Sequence, residues 1–155
     1  MLQPGKTCLG TWSGGRFMEF GEDIGAERLI ELFRLAYRAG IRTFVTADVY
    51  GTGEADRLLG KALAGLDRDS YCLIGAIGHD FYNAARVFDA YPRFTDPTLR
   101  GPEQYGSYLR MAAEKSLERL GVDRFDLLFL HNPDLIGYTD EKVWQGLEGL
   151  RQEGL

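Results

Sequence analysis

A chain of 155 residues that is 45% apolar and 26% charged carries enough apolar side chains for a domain with a packed core. A formal net charge of −5 gives no basic face of the kind nucleic acid needs, and no run of 18 apolar residues is present to span a bilayer. Residues 1–6 lack the basic-then-apolar pattern of a signal peptide, and Cys8 and Cys72 sit in apolar runs as reduced thiols do, so a cytoplasmic protein is expected.

In chain order, residues 7–12 (Thr-Cys-Leu-Gly-Thr-Trp) read as a first strand, ended by Ser13-Gly14-Gly15. Residues 26–39 place Leu29, Ile30, Phe33, Ala36 and Tyr37 on one helix face, with Gly40 where a C-terminal glycine belongs. Residues 42–48 read as a second strand. Residues 54–66 read as a second helix, with Ala55, Leu58, Leu59, Ala62 and Leu63 turned inward. Residues 71–75 form a third strand. Pro102 opens a third helix that runs to Leu120, with a stripe from Tyr108 through Ala112, Ser116 and Leu120. Residues 126–131 are a fourth strand and residues 141–153 a fourth helix.

Four successive βα units predict parallel strands joined by right-handed crossovers. A doubly wound open sheet is the rival arrangement. It is disfavoured because the first turn, Gly10-Thr-Trp-Ser-Gly14, lacks the GxGxxG fingerprint. The expectation is therefore α/β: one domain over residues 1–155, forming four βα units of the N-terminal half of a (β/α)₈ barrel. A whole barrel takes ~250 residues, so the rest of it is expected outside this chain. A half barrel has two unpaired strand edges, and self-association through them is expected.

Residues 79–101 make an unusually long connection, rich in aromatics (Phe81, Tyr82, Phe88, Tyr91, Phe94). Loops of that length are usually functional or disordered, and the aromatics argue against disorder. This one leaves the C-terminal end of a strand, where barrel enzymes place their sites, so it reads as a lid or a substrate-pocket wall. Tyr50, His79 and His131 all follow strand ends and converge on the same rim. A metal site of His79, Asp80 and His131 lacks HxH or HExxH spacing, and no metal is expected.

Residues 40–51, Gly-Ile-Arg-Thr-Phe-Val-Thr-Ala-Asp-Val-Tyr-Gly, followed by Gly53-Glu54 and Leu58-Leu59-Gly60, resemble the second strand and helix of the aldo-keto reductases. Residues 120–134, ending in Phe129-Leu130-His131-Asn132-Pro133-Asp134, resemble their fourth strand, and residues 143–154 the helix after it. The resemblance implies hydride transfer from NADP(H), with NAD(H) as the alternative, to a small carbonyl substrate. It implies Tyr50 and His131 as the catalytic pair and Gly10, Thr11 and Trp12 as cofactor contacts. The substrate would meet Trp12, Tyr50, His79, Phe81 and His131. Two family positions differ: Val45 stands where the resemblance implies an aspartate, and Ala76 or Ile77 where it implies a lysine. A buried charge without its partner is costly, so the joint loss is coherent. Alcohol oxidation, which needs tyrosinate, should suffer more than carbonyl reduction. The second reading is a non-catalytic barrel that binds a nucleotide or a carbonyl compound.

Overall fold

A computed structural model of the chain describes residues 4–12, 17, 22–88 and 90–155; the Ser13-Gly14-Gly15 stop lies outside them. Among the described residues four strands, β1 (Leu9–Gly10), β2 (Thr43–Val45), β3 (Cys72–Ile77) and β4 (Leu127–Leu130), form one parallel sheet in the order β1-β2-β3-β4. The helices between and after them are α1 (Ala26–Arg38), α2 (Glu54–Leu63), α3 (Tyr105–Leu120), α4 (Leu135–Thr139) and α5 (Glu141–Glu153). A doubly wound sheet reverses its strand order near the middle. This sheet does not, and crossovers of one hand then place every helix on the same face.

Alternation along the strands explains how the core forms. Phe44 and Leu73 point toward the helices and meet Leu29, Ile30 and Phe33 of α1, Leu58 and Leu59 of α2, and Leu117 of α3. Ile77 packs among Leu109, Ala112, Val143 and Leu150 in a second cluster, with Leu128 and Leu130 against it. Each such side chain, wholly buried, contributes about 1.5–3 kcal/mol. At Gly60 of α2, an added Cβ would lie 2.5 Å from the Leu120 carbonyl oxygen, so the close seat of α2 on α3 requires glycine. The opposite face of β4 is open: Leu127 is 38% and Phe129 51% exposed.

β1, β2 and β4 are shorter than the sequence pattern predicts, yet the ladder continues past them. Thr11 N–H donates to Val45 O (2.9 Å), Thr46 N–H to Ile74 O (2.9 Å), Asp48 N–H to Ala76 O (3.1 Å) and His131 N–H to Ile77 O (2.8 Å). These bonds carry the backbone to the rim where Tyr50 and His131 stand. β3 runs two residues beyond the predicted end, α2 stops three residues short, and Pro102–Gln104 forms a 3₁₀ turn before α3. The short α4 was not foreseen; Asp134 caps it by accepting from Gly137 N–H at 2.8 Å. Among the described residues no helix is long and apolar enough to cross a membrane.

Candidate active site at the strand ends

The turn after β2 holds Tyr50. Tyr50 N–H donates to Ala47 O at 3.0 Å, and the chain then passes through three left-handed residues, Gly51, Thr52 and Gly53. Gly53 (φ +89) is required twice over, because an added Cβ would lie 2.5 Å from Arg119 Nε. His131 is fixed at the end of β4, followed by Asn132 (φ 48), a residue type that tolerates this turn. The rings then gather round one cavity, tilted or edge to face. Trp12 and Tyr50 have centroids 4.5 Å apart, Tyr50 and His131 5.4 Å, and His131 and His79 5.0 Å. The cavity has a volume of about 650 Å³, and Phe17, Tyr91, Arg86 and Asn132 complete much of its wall. A slightly larger groove, about 780 Å³, lies between α2 and α3 on the helical side, away from these groups.

Burial governs the ionisation of the site. It raises the Tyr50 phenol above its ordinary 10.0, and among the described residues no charge opposes it. Burial, helped by His79 and then Arg93, pushes His131 down to about 4. Burial also lowers His79; the Tyr91 carbonyl opposes this and Arg93 reinforces it. Both imidazoles are therefore neutral at pH 7, and His79 is not a cation. His131 Nδ1 is buried without a hydrogen-bond partner. An orphaned N–H is rarer than an orphaned lone pair, which leaves the proton on Nε2.

Val45 sits beside Ile74, and Ala76 lies one layer closer to the rim, beside Phe129. Both are part-buried on the cavity side of the sheet. Ile77, the other candidate for the lysine position, is wholly buried among α3 and α5 side chains, because it alternates with Ala76.

Three of the sequence candidates lie off the cavity wall. Thr11 is wholly buried and its Oγ1 donates to Thr46 Oγ1 at 3.1 Å, so its side chain faces the helical side. Gly10 precedes it in β1 and is not among the lining residues. Phe81 packs on Tyr82 with centroids 4.0 Å apart and lines a separate groove with Lys115 and Arg119. The cause is Asp80, whose Oδ1 accepts from the backbone N–H groups of Tyr82 and Asn83 (3.1 and 2.9 Å) and turns the chain outward. Asp80 is wholly buried and ion-paired with Arg100. That pairing takes Asp80 away from His79 and His131. Among the described residues no group of three His, Cys, Asp or Glu side chains could hold a metal.

Sequence reasoning missed Arg93. The long connection doubles back, with His79 bridged antiparallel to Arg93, Asp80 N–H donating to Pro92 O and Phe94 N–H to Gly78 O. Arg93 Nη1 thereby reaches 3.0 Å from His79 Nδ1, while its Nε donates to Asn132 O at 2.6 Å. Fourteen residues separate the pair. Only the aromatic richness of the loop hinted that it was ordered.

Behind the cavity wall lies a buried polar cluster. Asp56 accepts from Thr46 Oγ1 (2.8 Å), Ser116 Oγ (2.8 Å) and Arg119 Nη2 (3.0 Å). Arg119 also donates to Tyr82 OH, which lies 3.4 Å from Asp48 Oδ2. Asp48 is wholly buried and its Oδ1 has no partner. Burial first, then the Asp56 carboxylate, hold Asp48 well above the usual carboxylate range against the pull of Arg119.

The described geometry agrees with known proteins. Residues 6–155 match the model of the aldo/keto reductase family, and the chain belongs to that family. A D-threo-aldose 1-dehydrogenase of a Pseudomonas species is 32% identical over 135 residues, 77% of this chain and 39% of that protein. A probable aldo-keto reductase of Glycine max is 34% identical over 125 residues, 81% of this chain and 32% of that protein. The holo form of an aldo-keto reductase from Bacillus halodurans superposes with a TM-score of 0.73 at 25% identity, over 94% of this chain and 42% of that one. The four units thus match the N-terminal half of an aldo-keto reductase (β/α)₈ barrel, and the chain spans about two fifths of the length of such relatives.

Proposed function

We propose that these residues form one side of an active site that reduces a small carbonyl compound, with Tyr50 as proton donor and His131 as the group that places the carbonyl oxygen. The observation that carries this reading is the convergence of Trp12, Tyr50, His131 and His79 on one cavity at centroid spacings of 4.5–5.4 Å. A relative from Klebsiella pneumoniae has been solved with NADPH, at 24% identity. The cavity suits a flat nicotinamide, because Trp12 is 43% exposed beside Tyr50 and offers an aromatic face. Bound NADP(H), or NAD(H), would supply hydride to the carbonyl carbon. Tyr50, kept protonated by burial, gives its proton to the oxygen as charge develops there. His131 Nε2–H meets the same oxygen from the β4 side. The Trp12 side chain is the cofactor contact that the described cavity wall offers, whereas Gly10 and Thr11 lie off that wall. A cytoplasmic location fits two free thiols, Cys8 and Cys72. The open face bearing Leu127 and Phe129 is where an isolated chain would associate with another.

The test is Tyr50→Phe in the full-length protein, which removes the hydroxyl and keeps the ring. Turnover of an aldehyde falls by roughly 10²–10⁴-fold, the loss typical of a general acid. Full turnover would remove Tyr50 from the mechanism. The second reading, a binding barrel without catalysis, is favoured by one observation: among the described residues no charge counters the effect of burial on the Tyr50 phenol. Nicotinamide binding without turnover of any aldehyde would select it.

A further inference from the structure

His79 lines the cavity beside His131, and both its backbone and its ring are held. Its carbonyl accepts from Tyr108 OH at 3.0 Å, and its backbone bridges to Arg93. Its Nδ1 lies 3.0 Å from two groups of opposite kind, the Tyr91 carbonyl oxygen and Arg93 Nη1. A carbonyl oxygen only accepts and a guanidinium only donates, so Nδ1 can satisfy one of them at a time. With the proton on Nδ1, an N–H would share its surroundings with a permanent cation. With a lone pair on Nδ1, it accepts a charge-assisted bond, roughly twice as strong as a neutral one. The second arrangement puts the proton on Nε2, and Nε2 is left for the cavity.

We infer that Arg93, through His79, stands in for the cation that Ala76 does not supply: Arg93 holds His79 as a polarised Nε2–H donor to the reacting carbonyl oxygen, beside His131. Arg93 is a positioning residue and His79 a catalytic one. The inference rests on the reductase reading. In carbonyl reduction, hydride reaches carbon, the Tyr50 proton reaches oxygen, and His79 gives up no proton. Its N–H strengthens toward the oxygen as negative charge builds, and the guanidinium behind Nδ1 makes that N–H more acidic. Arg93 and His131 are the charged and titratable groups in contact with the His79 ring, and neither is an anion; Glu54 and Arg86 line the same cavity. Burial and Arg93 both disfavour an imidazolium, and the ring acts as a neutral donor. Anchorage of Arg93 Nε on the Asn132 carbonyl ties the donor to the end of β4, so His79 and His131 keep a fixed spacing.

The experiment reads the His79 tautomer by ¹⁵N NMR on the full-length protein, alongside reduction of 4-nitrobenzaldehyde by NADPH. The wild type shows the Nε2–H tautomer. Arg93→Ala moves the proton to Nδ1, where it donates to Tyr91 O, and lowers kcat roughly 10-fold with KM little changed. Arg93→Lys keeps the Nε2–H tautomer and recovers much of kcat. His79→Phe lowers kcat about 10²-fold. An Nδ1–H tautomer in the wild type, or an Arg93→Ala protein with unchanged tautomer and kcat, would overturn the inference. A Tyr50→Phe control separates the two levels: its full activity would sink the proton-donor assignment, whereas the tautomer decides the Arg93–His79 pairing by itself.

Discussion

Val45 and Asp48 stand three residues apart at the end of one strand and have opposite fates. Val45 lies on the cavity side, next to Ile74 and near Ala76, with no ionisable neighbour across the sheet. Asp48 lies on the helical side, near Tyr82, in a cluster organised by the Asp56–Arg119 ion pair. The chain thus retains charge in the wall that braces the site and has none at the two cavity positions where its family relationship implies a pair. The comparison teaches that an arginine and a carboxylate placed behind Tyr50 do not tune it. Tyr50 responds to burial alone, although Asp56 lies only six residues along the chain. Tuning has to come from the cavity side, where Arg93 is the cation brought against His79.

The largest expected effect comes from breaking the helical-side pair. Arg119 is nearly buried and Asp56 wholly so, and Arg119→Ala leaves the carboxylate without its cation. Unfolding of the full-length protein in urea should show a loss of about 3–5 kcal/mol. A loss under about 1 kcal/mol would mean that Thr46 and Ser116 suffice for Asp56, and the contrast between the two walls would weaken.

A double-mutant cycle at Val45 and Ala76 sharpens the other side. Val45→Asp alone should cost roughly 1–3 kcal/mol, or hold the new carboxyl neutral. Ala76→Lys alone should also be unfavourable. Together they should cost less than their sum, by about 0.5–3 kcal/mol. The register supports this, since Ala76 is one layer above the residue paired with Val45, within reach of a lysine stem. Additive costs would mean that the side chains do not meet.

Much of the fold was legible because alternation and helical stripes repeat four times, and because His131 directly follows a strand and Tyr50 the turn after one. The parallel ladder carries such residues to one rim whatever the loops do. Other site features depend on contacts that no local pattern encodes. Thr11 turns away because Thr46 offers it a partner. Phe81 turns away because Asp80 pairs with Arg100 and redirects the chain. Arg93 arrives at His79 only because the loop between them folds back, a result of long-range bonding through Gly78, Asp80, Pro92 and Phe94. The order of strands and helices can be read from sequence; the aim of a side chain in a 23-residue connection cannot.

The claim that Tyr50 works as an acid without a cation of its own is tested most directly by the pH dependence of alcohol oxidation in the full-length protein. Oxidation needs the phenolate as base, and burial holds the phenol above 10.0. The rate should therefore climb about tenfold per pH unit through neutral pH and show no plateau below pH ~10, while aldehyde reduction stays nearly flat over the same range. The Val45→Asp, Ala76→Lys double variant should bring the rise to a plateau at lower pH. A wild-type oxidation rate already level near pH 7 would contradict the account, because it would require a cation at the Tyr50 hydroxyl that the described residues do not place there.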